Sequence, residues 1–379
     1  MIYPDYTNSI VNLTSSVLKA FDANSLYFPL EELDDLKKYK NIIFINLDGL
    51  GFEYLQKYGQ NSYLNQHCLK KLTSVFPSTT AAATTTLETG TAPQQHGLTG
   101  WFMYLKDLGI ISTILRFKSR YGGLTFSNNN IKREDIFTEK RIGDKIKQTS
   151  FIIYPDKIVD GKVNKKSKKI LTYKNLNSMF LQIKKAVDFS NRRKYIYAYW
   201  DNFDYLCHVY GCDSKTVNEH FWKLDKKIAS FVKSLKKTNS AVIITADHGL
   251  IDTVPEKVIY IQDYPELYDM LTMPLCGESR LAYCYVHPEK ALQFENYIKD
   301  NLSHCCEIHK SSELLDQGVF GLFQPHPKLK DRIGDYILIM KDNYIIKDFL
   351  MTEEKKYLIG NHGGTSKEEM YVPLIFCYN

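Results

Sequence analysis

No Cys-x-x-Cys pair occurs among the eight cysteines of this 379-residue chain, and Cys305 and Cys306 are adjacent, a poor spacing for a zinc ribbon. The amino terminus, Met1-Ile2-Tyr3-Pro4-Asp5-Tyr6, lacks the charged and apolar regions of a signal peptide. Disulfides are therefore not expected, and the expected compartment is the cytoplasm. No apolar stretch is long enough to span a bilayer, and no repeat, low-complexity tract or linker divides the chain. A broad basic face is missing too. The formal charge of +6 is concentrated in Lys157, Lys162, Lys165, Lys166, Lys168 and Lys169, which with Gly161 and Asn164 read as a solvated hairpin or loop. No specific nucleic-acid binding is expected from such a stretch, and the 27 tyrosines are scattered as packing residues rather than gathered as a base-stacking set.

What the chain does have is a set of apolar strands that end in metal-ligating residues. Ala241-Val242-Ile243-Ile244-Thr245-Ala246 stops at Asp247-His248-Gly249. The run is β-branched and bounded by a turn residue, the pattern of a strand covered on both faces in a parallel sheet. Ile42-Ile43-Phe44-Ile45-Asn46-Leu47 stops in the same way at Asp48-Gly49. Tyr195-Ile196-Tyr197-Ala198-Tyr199-Trp200 is followed by Asp201, Asp204 and His208, and glycines surround His362 in Gly360-Asn361-His362-Gly363-Gly364. A single Asp-His pair after a strand is most often a helix cap beside a surface histidine. Four such exits on one sheet edge are harder to dismiss, because ligands of open α/β sheets collect at the carboxyl ends of strands. Asp48, Asp204, His208, Asp247, His248 and His362 can therefore converge.

Three carboxylates and three imidazoles exceed what one four-coordinate ion takes, and they suit two divalent cations, zinc or manganese. Two such ions leave a net positive centre whose natural partner is an anion, in particular a phosphate oxygen. A nucleophile is available in Ser78-Thr79-Thr80-Ala81-Ala82-Ala83-Thr84-Thr85-Thr86-Leu87-Glu88-Thr89-Gly90. Capping hydroxyls open this segment and a glycine stops it, so a helix is expected with Thr79 and Thr80 at its amino terminus. Free N–H groups and the positive end of the helix dipole favour both an alkoxide and a bound phosphate there.

Taken together, Asp48-Gly49, Thr80 nine residues before Thr89-Gly90, Asp204-x-x-x-His208, Asp247-His248-Gly249 and His362-Gly363 resemble the alkaline phosphatase superfamily. Within it the likeness is to the type I phosphodiesterase/nucleotide pyrophosphatase branch, which also includes phosphonoacetate hydrolases. The resemblance implies an alkaline-phosphatase-like three-layer α/β sandwich with a mostly parallel central sheet flanked by helices. It implies two zinc ions, with manganese as the alternative, one held by Asp48, Asp247 and His248 and the other by Asp204, His208 and His362. Thr80 is then the nucleophile that forms a phospho-threonine or nucleotidyl-threonine intermediate, and Thr79 is the fallback. The activity implied is hydrolysis of phosphodiester or pyrophosphate bonds in a small phosphorylated or nucleotide substrate. Phosphomonoesterase or phosphonate hydrolase activity on the same two-metal core, and non-catalytic binding of a phosphorylated ligand, are the alternatives. Two positions depart from the branch. Its nucleotide pyrophosphatases commonly carry Phe directly after the nucleophile and Asn twenty-one residues after it, where this chain has Ala81 and Trp101. Trp101 thus becomes a candidate substrate contact, with Arg116, Lys118, Arg120 and Asn128-Asn129-Asn130 as replacements for the missing amide.

Asp247-His248 and His362 belong to one site yet lie more than a hundred residues apart. Residues 1–254 and 333–379 are therefore expected to form the catalytic core, with 255–332 an inserted α+β cap. The cap would hold a strand at Leu281-Ala282-Tyr283-Cys284-Tyr285-Val286 and helices at 288–302 and 311–315. Tyr336-Ile337-Leu338-Ile339-Met340 is expected as the return strand, and Tyr371 to Phe376 as the last strand, at an edge or bent because of Pro373. Val217, Phe221, Leu224, Ile228, Phe231 and Leu235 recur at helical spacing and predict a surface helix over the sheet.

Overall fold

The runs that end before Asp48, Asp201 and Asp247 form three adjacent strands. Asn41–Leu47 lies between Lys194–Trp200 and Ser240–Thr245 and pairs with both in parallel. Every residue of the three is buried, which is why they read as continuous rather than alternating apolar runs. The computed structural model describes residues 1–158, 169–351, 353–355 and 357–378, and these three strands sit in the middle of its larger sheet. The full order is Cys68–Thr73, Tyr371–Tyr378, Ser240–Thr245, Asn41–Leu47, Lys194–Trp200, Thr149–Pro155 and Lys169–Tyr173. Tyr371–Tyr378 pairs antiparallel with both of its neighbours, and the other pairings among these strands are parallel. Leu47 pairs with Trp200, and Asn46 with Thr245. The three strands therefore end at one level, and the acidic residues that follow them leave the sheet side by side.

Helices cover both faces. Tyr195 meets Phe21, just past the helix Ile10–Ala20, and that helix packs on Thr80–Thr89. Side chains alternate along a strand, so Trp200 points to the opposite face, where it stacks on His220 of the helix Lys215–Ser234. Val217, Phe221, Leu224, Ile228 and Phe231 are the buried stripe of that helix, at the spacing that predicts it. The result is a three-layer α/β sandwich around a largely parallel sheet. No helix among the described residues is long and apolar enough to cross a membrane.

A second seven-stranded sheet runs in the order Cys306–Lys310, Tyr336–Met340, Leu281–Cys284, Cys276–Glu278, Phe102–Leu105, Ile110–Thr113 and Lys118–Ser119. The segment 255–332 supplies three of these strands, and the others come from either side of it in sequence. Tyr336–Met340, expected to return to the core sheet, instead pairs antiparallel with Leu281–Cys284 and Cys306–Lys310. Its apolar residues are buried equally well there, so composition alone could not choose between the sheets. The core is re-entered by Tyr371–Tyr378. That strand is internal, and its register shifts between Leu374 and Ile375, one residue beyond Pro373, so the proline lies beside an irregularity and not at an edge.

Arg280 ties the second sheet to the first. Its guanidinium is buried and donates to both carboxylate oxygens of buried Glu369, at 3.2 and 2.9 Å. Glu369 in turn accepts the Gly364 N–H at 2.7 Å, and its carbonyl accepts the Gly249 N–H at 2.9 Å. One buried ion pair thus braces the loops that follow His248 and His362. All eight cysteines are free. Of the lysine-rich stretch, Lys157 pairs with Asp201 at 2.7 Å and Lys169 opens a strand, whereas Lys162, Lys165, Lys166 and Lys168 lie outside the described residues.

Candidate active site

Each strand exit delivers its acid through a specific local turn. Asp48 follows Asn41–Leu47, and its N–H donates to the Trp200 carbonyl at 2.9 Å. Gly49 then takes φ +77°, and a Cβ on it would lie 2.7 Å from Leu250 and 3.0 Å from Asp204. Glycine alone fits both the conformation and the space. Gly249 is required for closeness rather than for its dihedral, since a Cβ there would meet the Glu368 carbonyl oxygen at 2.0 Å. Asp204 and His208 lie on the helix Asn202–Tyr210, and their four-residue spacing puts them on one face.

Six side chains meet beyond these exits. His248 Nε2 lies 3.4 Å from Asp48 and 3.8 Å from Asp247. His208 Nε2 lies 3.2 Å from Asp204, and His362 Nε2 lies 3.9 Å from the other oxygen of Asp204. The rings of His248 and His362 stack at 3.9 Å. Two groups have donor atoms close enough to share an ion, Asp48 with Asp247 and His248, and Asp204 with His248 and His362. His248 thus stands on the wall between them.

The donor chemistry fits divalent cations. Asp48 Oδ1, Asp204 Oδ1 and His362 Nδ1 are buried with no hydrogen-bond partner, a costly state unless something else completes them. His248 Nδ1 is 3.1 Å from the Gly249 carbonyl, and His208 Nδ1 is 2.7 Å from the Gly360 carbonyl. A carbonyl on Nδ1 fixes the tautomer that leaves Nε2 as a lone pair, the usual arrangement of a metal-bound histidine. The lone pair of each ring then faces carboxylate oxygens, which requires a positive charge between them. A proton can supply it at His208, where burial opposes the charged ring but Asp204 lifts it to about 9. Burial raises the Asp204 carboxyl in its turn, yet His208 holds it below the ordinary range. Asp48 is pushed well up by burial and by the Asp247 and Asp204 charges, while burial drives His362 well below the ordinary histidine value.

Thr80 opens the helix Thr80–Thr89, and Thr79 is its extended N-cap residue. The Thr80 hydroxyl lies 3.0 Å from His248 Nε2, within reach of both donor groups. The expected cap bond from Thr79 is not made. Its hydroxyl donates instead to Glu278 at 2.5 Å. Ala81 is buried in a small apolar cluster with Leu98 and Met103. Trp101 lines the cleft above Thr80, and the Arg116 guanidinium lies 5.4 Å from the centre of its ring. Arg120 does not serve as a phosphate contact. It is buried and bound to Asp348 and Glu353 at 2.6 and 2.9 Å. The cleft has a volume of about 2130 Å³, and Lys118 and Asn130 lie along it.

Three residues of the site carried no motif. The Tyr199 hydroxyl donates to Asp48, and Thr84 donates to Asp247 at 2.8 Å. Thr84 could have been found from periodicity, since it is one turn beyond Thr80, whereas Tyr199 reaches Asp48 from the neighbouring strand Lys194–Trp200. Glu278 had no such signal. It comes from the second sheet, accepts the Trp101 N–H at 2.8 Å as well as the Thr79 hydroxyl, and burial pushes its carboxyl up to about 7.

Comparison with known proteins gives a consistent picture. Residues 42–365 match the sequence pattern of the type I phosphodiesterase / nucleotide pyrophosphatase family. Human ectonucleotide pyrophosphatase/phosphodiesterase family member 5 is 24% identical over 331 residues, which are 82% of this chain and 61% of the relative. The chain therefore spans about three-fifths of that protein's length. The solved structure of an inactive variant of the murine family member 5, in complex with AMP, superposes with a TM-score of 0.67 at 18% identity. It covers 88% of this chain and 87% of its own. Phosphonoacetate hydrolase from Sinorhizobium meliloti 1021, in complex with phosphonoformate, does so with a TM-score of 0.63 at 17% identity, covering 89% and 90%. At such identities the structural likeness establishes the fold.

Proposed function

The chain belongs to the type I phosphodiesterase / nucleotide pyrophosphatase family, and from that premise we propose that it hydrolyses phosphodiester or pyrophosphate bonds through a covalent intermediate on Thr80. The observation that carries this reading is the Thr80 hydroxyl, 3.0 Å from His248 Nε2, a ring shared by the groups Asp48/Asp247/His248 and Asp204/His248/His362, with His208 3.2 Å from Asp204 beside the second. Asp48, Asp247 and His248 would hold one divalent cation, and Asp204, His208 and His362 a second. Zinc suits this mixture of nitrogen and oxygen donors, with manganese as the alternative. Such ions supply Lewis acidity, lower the pKa of nucleophilic oxygens and offset charge on both sides of an in-line displacement.

The protein's own groups do the rest. Thr80 Oγ1 forms a bond to phosphorus while the bond from phosphorus to the leaving oxygen breaks. Water then displaces Thr80 and restores its hydroxyl. Amide groups at the start of the helix Thr80–Thr89 offer N–H donors to the phosphoryl oxygens. Tyr199 and Thr84 hold Asp48 and Asp247 in place by hydrogen bonds, and the carbonyls of Gly249 and Gly360 do the same for His248 and His208. The second sheet, with the segment 255–332, would act as the cap that walls the cleft, with Trp101 and Arg116 facing the departing group. AMP bound in the murine relative favours a nucleotide substrate. The likeness to phosphonoacetate hydrolase makes a phosphonate the alternative. Mere binding of a phosphorylated ligand is disfavoured because all six donors and the threonine are present together.

A zinc- or manganese-supplemented assay compares a bis-aryl phosphodiester, an aryl phosphomonoester and a nucleoside triphosphate. The diester is expected to turn over fastest by kcat/KM. Faster monoester cleavage would move the substrate class, and no turnover of any of the three would leave only the binding role.

A further inference from the structure

Glu278 brings a carboxyl group into a place built for anions. It reaches the site from the strand Cys276–Glu278 of the second sheet and is wedged between two parts of the centre. On one side Thr79, the residue before Thr80, donates its hydroxyl to Oε1. On the other, Gly363, the residue after His362, packs so closely that a Cβ on it would lie 2.7 Å from the Glu278 Cβ. The Trp101 backbone N–H also donates to Oε1, at 2.8 Å. Two donors on one oxygen fix the carboxylate plane. The second oxygen has no hydrogen-bond partner among the described residues, and no lysine or arginine among them pairs with the group, the nearby cationic side chain being that of His208. Nor does burial strand that oxygen, because Glu278 lines the cleft beside Thr80, Asp204, His208 and His362.

A structural role alone would be filled better by glutamine. Its carbonyl oxygen can accept the same two hydrogen bonds without a charge, and an unpaired charge near the interior is costly. What the carboxylate adds is repulsion of negative charge at the entrance to Thr80. At its phosphorus a diester carries one negative charge and a monoester nearly two near neutral pH. The penalty therefore falls more heavily on the monoester.

We propose that Glu278 is a specificity-determining residue, whose fixed carboxylate disfavours doubly charged phosphoryl groups and so restricts the site to singly charged diesters. The inference rests on the reading of Thr80 as the phosphoryl acceptor.

The test uses the metal-loaded full chain at pH 9, above the value of about 7 to which burial pushes Glu278. In Glu278→Gln the ratio of monoester to diester kcat/KM is expected to rise by at least about tenfold, equivalent to about 1.4 kcal/mol. Inorganic phosphate, which is doubly charged at this pH, should bind more tightly to the variant by calorimetry. Glu278→Asp, which keeps the charge, should stay near the wild-type ratio, and Glu278→Ala serves as a second neutral variant should the glutamine fail to fold. An unchanged ratio with unchanged phosphate affinity, or an equal loss on both substrates, would overturn the proposal. Absence of diester turnover in the wild type would count instead against the function proposed above, and the phosphate affinities would still decide this inference.

Discussion

Replacing Thr80 with alanine is expected to lower diester turnover by about 10⁴-fold or more, the scale on which loss of a covalent nucleophile is felt, while the protein stays folded. Both halves follow from the position. Among the described residues the Thr80 hydroxyl is hydrogen-bonded to His248 alone, so its removal strands no buried donor. Alanine is also the better helix former at the start of Thr80–Thr89, and the melting temperature should change little. Thr80→Ser, which keeps a hydroxyl, should retain a measurable fraction of the activity. Thr79 is the weaker candidate because its hydroxyl is already committed to Glu278. Paired measurements of kcat and of thermal unfolding check the prediction. If Thr80→Ala kept more than about a tenth of wild-type kcat, a folded and active protein without this hydroxyl would rule out the phospho-threonine route.

Chelation should be nearly as damaging to activity, by about 10³-fold or more if the cations supply several kcal/mol of transition-state stabilisation. It should also destabilise the fold. Asp48, Asp204 and Asp247 are buried together, and their ion-pair partners among the described residues are histidines. A cation bound there neutralises what the protein leaves exposed to repulsion. Occupation of one site at a hundredfold excess over Kd stabilises by about 2.7 kcal/mol. Unfolding a chain of 379 residues carries an entropy of about 0.8 kcal/mol per kelvin, so each site should raise Tm by about 3 °C. Scanning calorimetry before and after treatment with a chelator, then with zinc restored, measures it. A Tm and a kcat both indifferent to chelator would remove the metal from the account.

The parts of this molecule that sequence alone makes readable are those written in local patterns. Ile42–Leu47 and Ala241–Ala246 announce buried strands because parallel strands covered on both faces need unbroken apolar runs. The register that brings their ends level follows from the sheet, and Asp48 and Asp247 come with it. Asp204 and His208 are paired by helical spacing. Choice of partner at long range is a different matter. Tyr336–Met340 has the same apolar run as a core strand, yet it lies in the second sheet between Leu281–Cys284 and Cys306–Lys310, because both sheets offer it a buried slot. Glu278 is further still from local signal. Cys276-Gly277-Glu278 resembles any short strand end, and its chemistry arises only when Thr79, Trp101 and Gly363 are brought to it. Arg120 errs in the opposite direction, since a basic residue near the cleft suggests phosphate until Asp348 and Glu353 are seen to hold it.

We propose that one edge of the sheet binds two cations beside Thr80. Anomalous diffraction from crystals grown with zinc, collected on both sides of the zinc absorption edge, tests it most directly. Two peaks are expected roughly 4 Å apart, one ligated by Asp48, Asp247 and His248 and the other by Asp204, His208 and His362, each within reach of Thr80 Oγ1. A single peak, or peaks bound away from these six residues, would contradict the account.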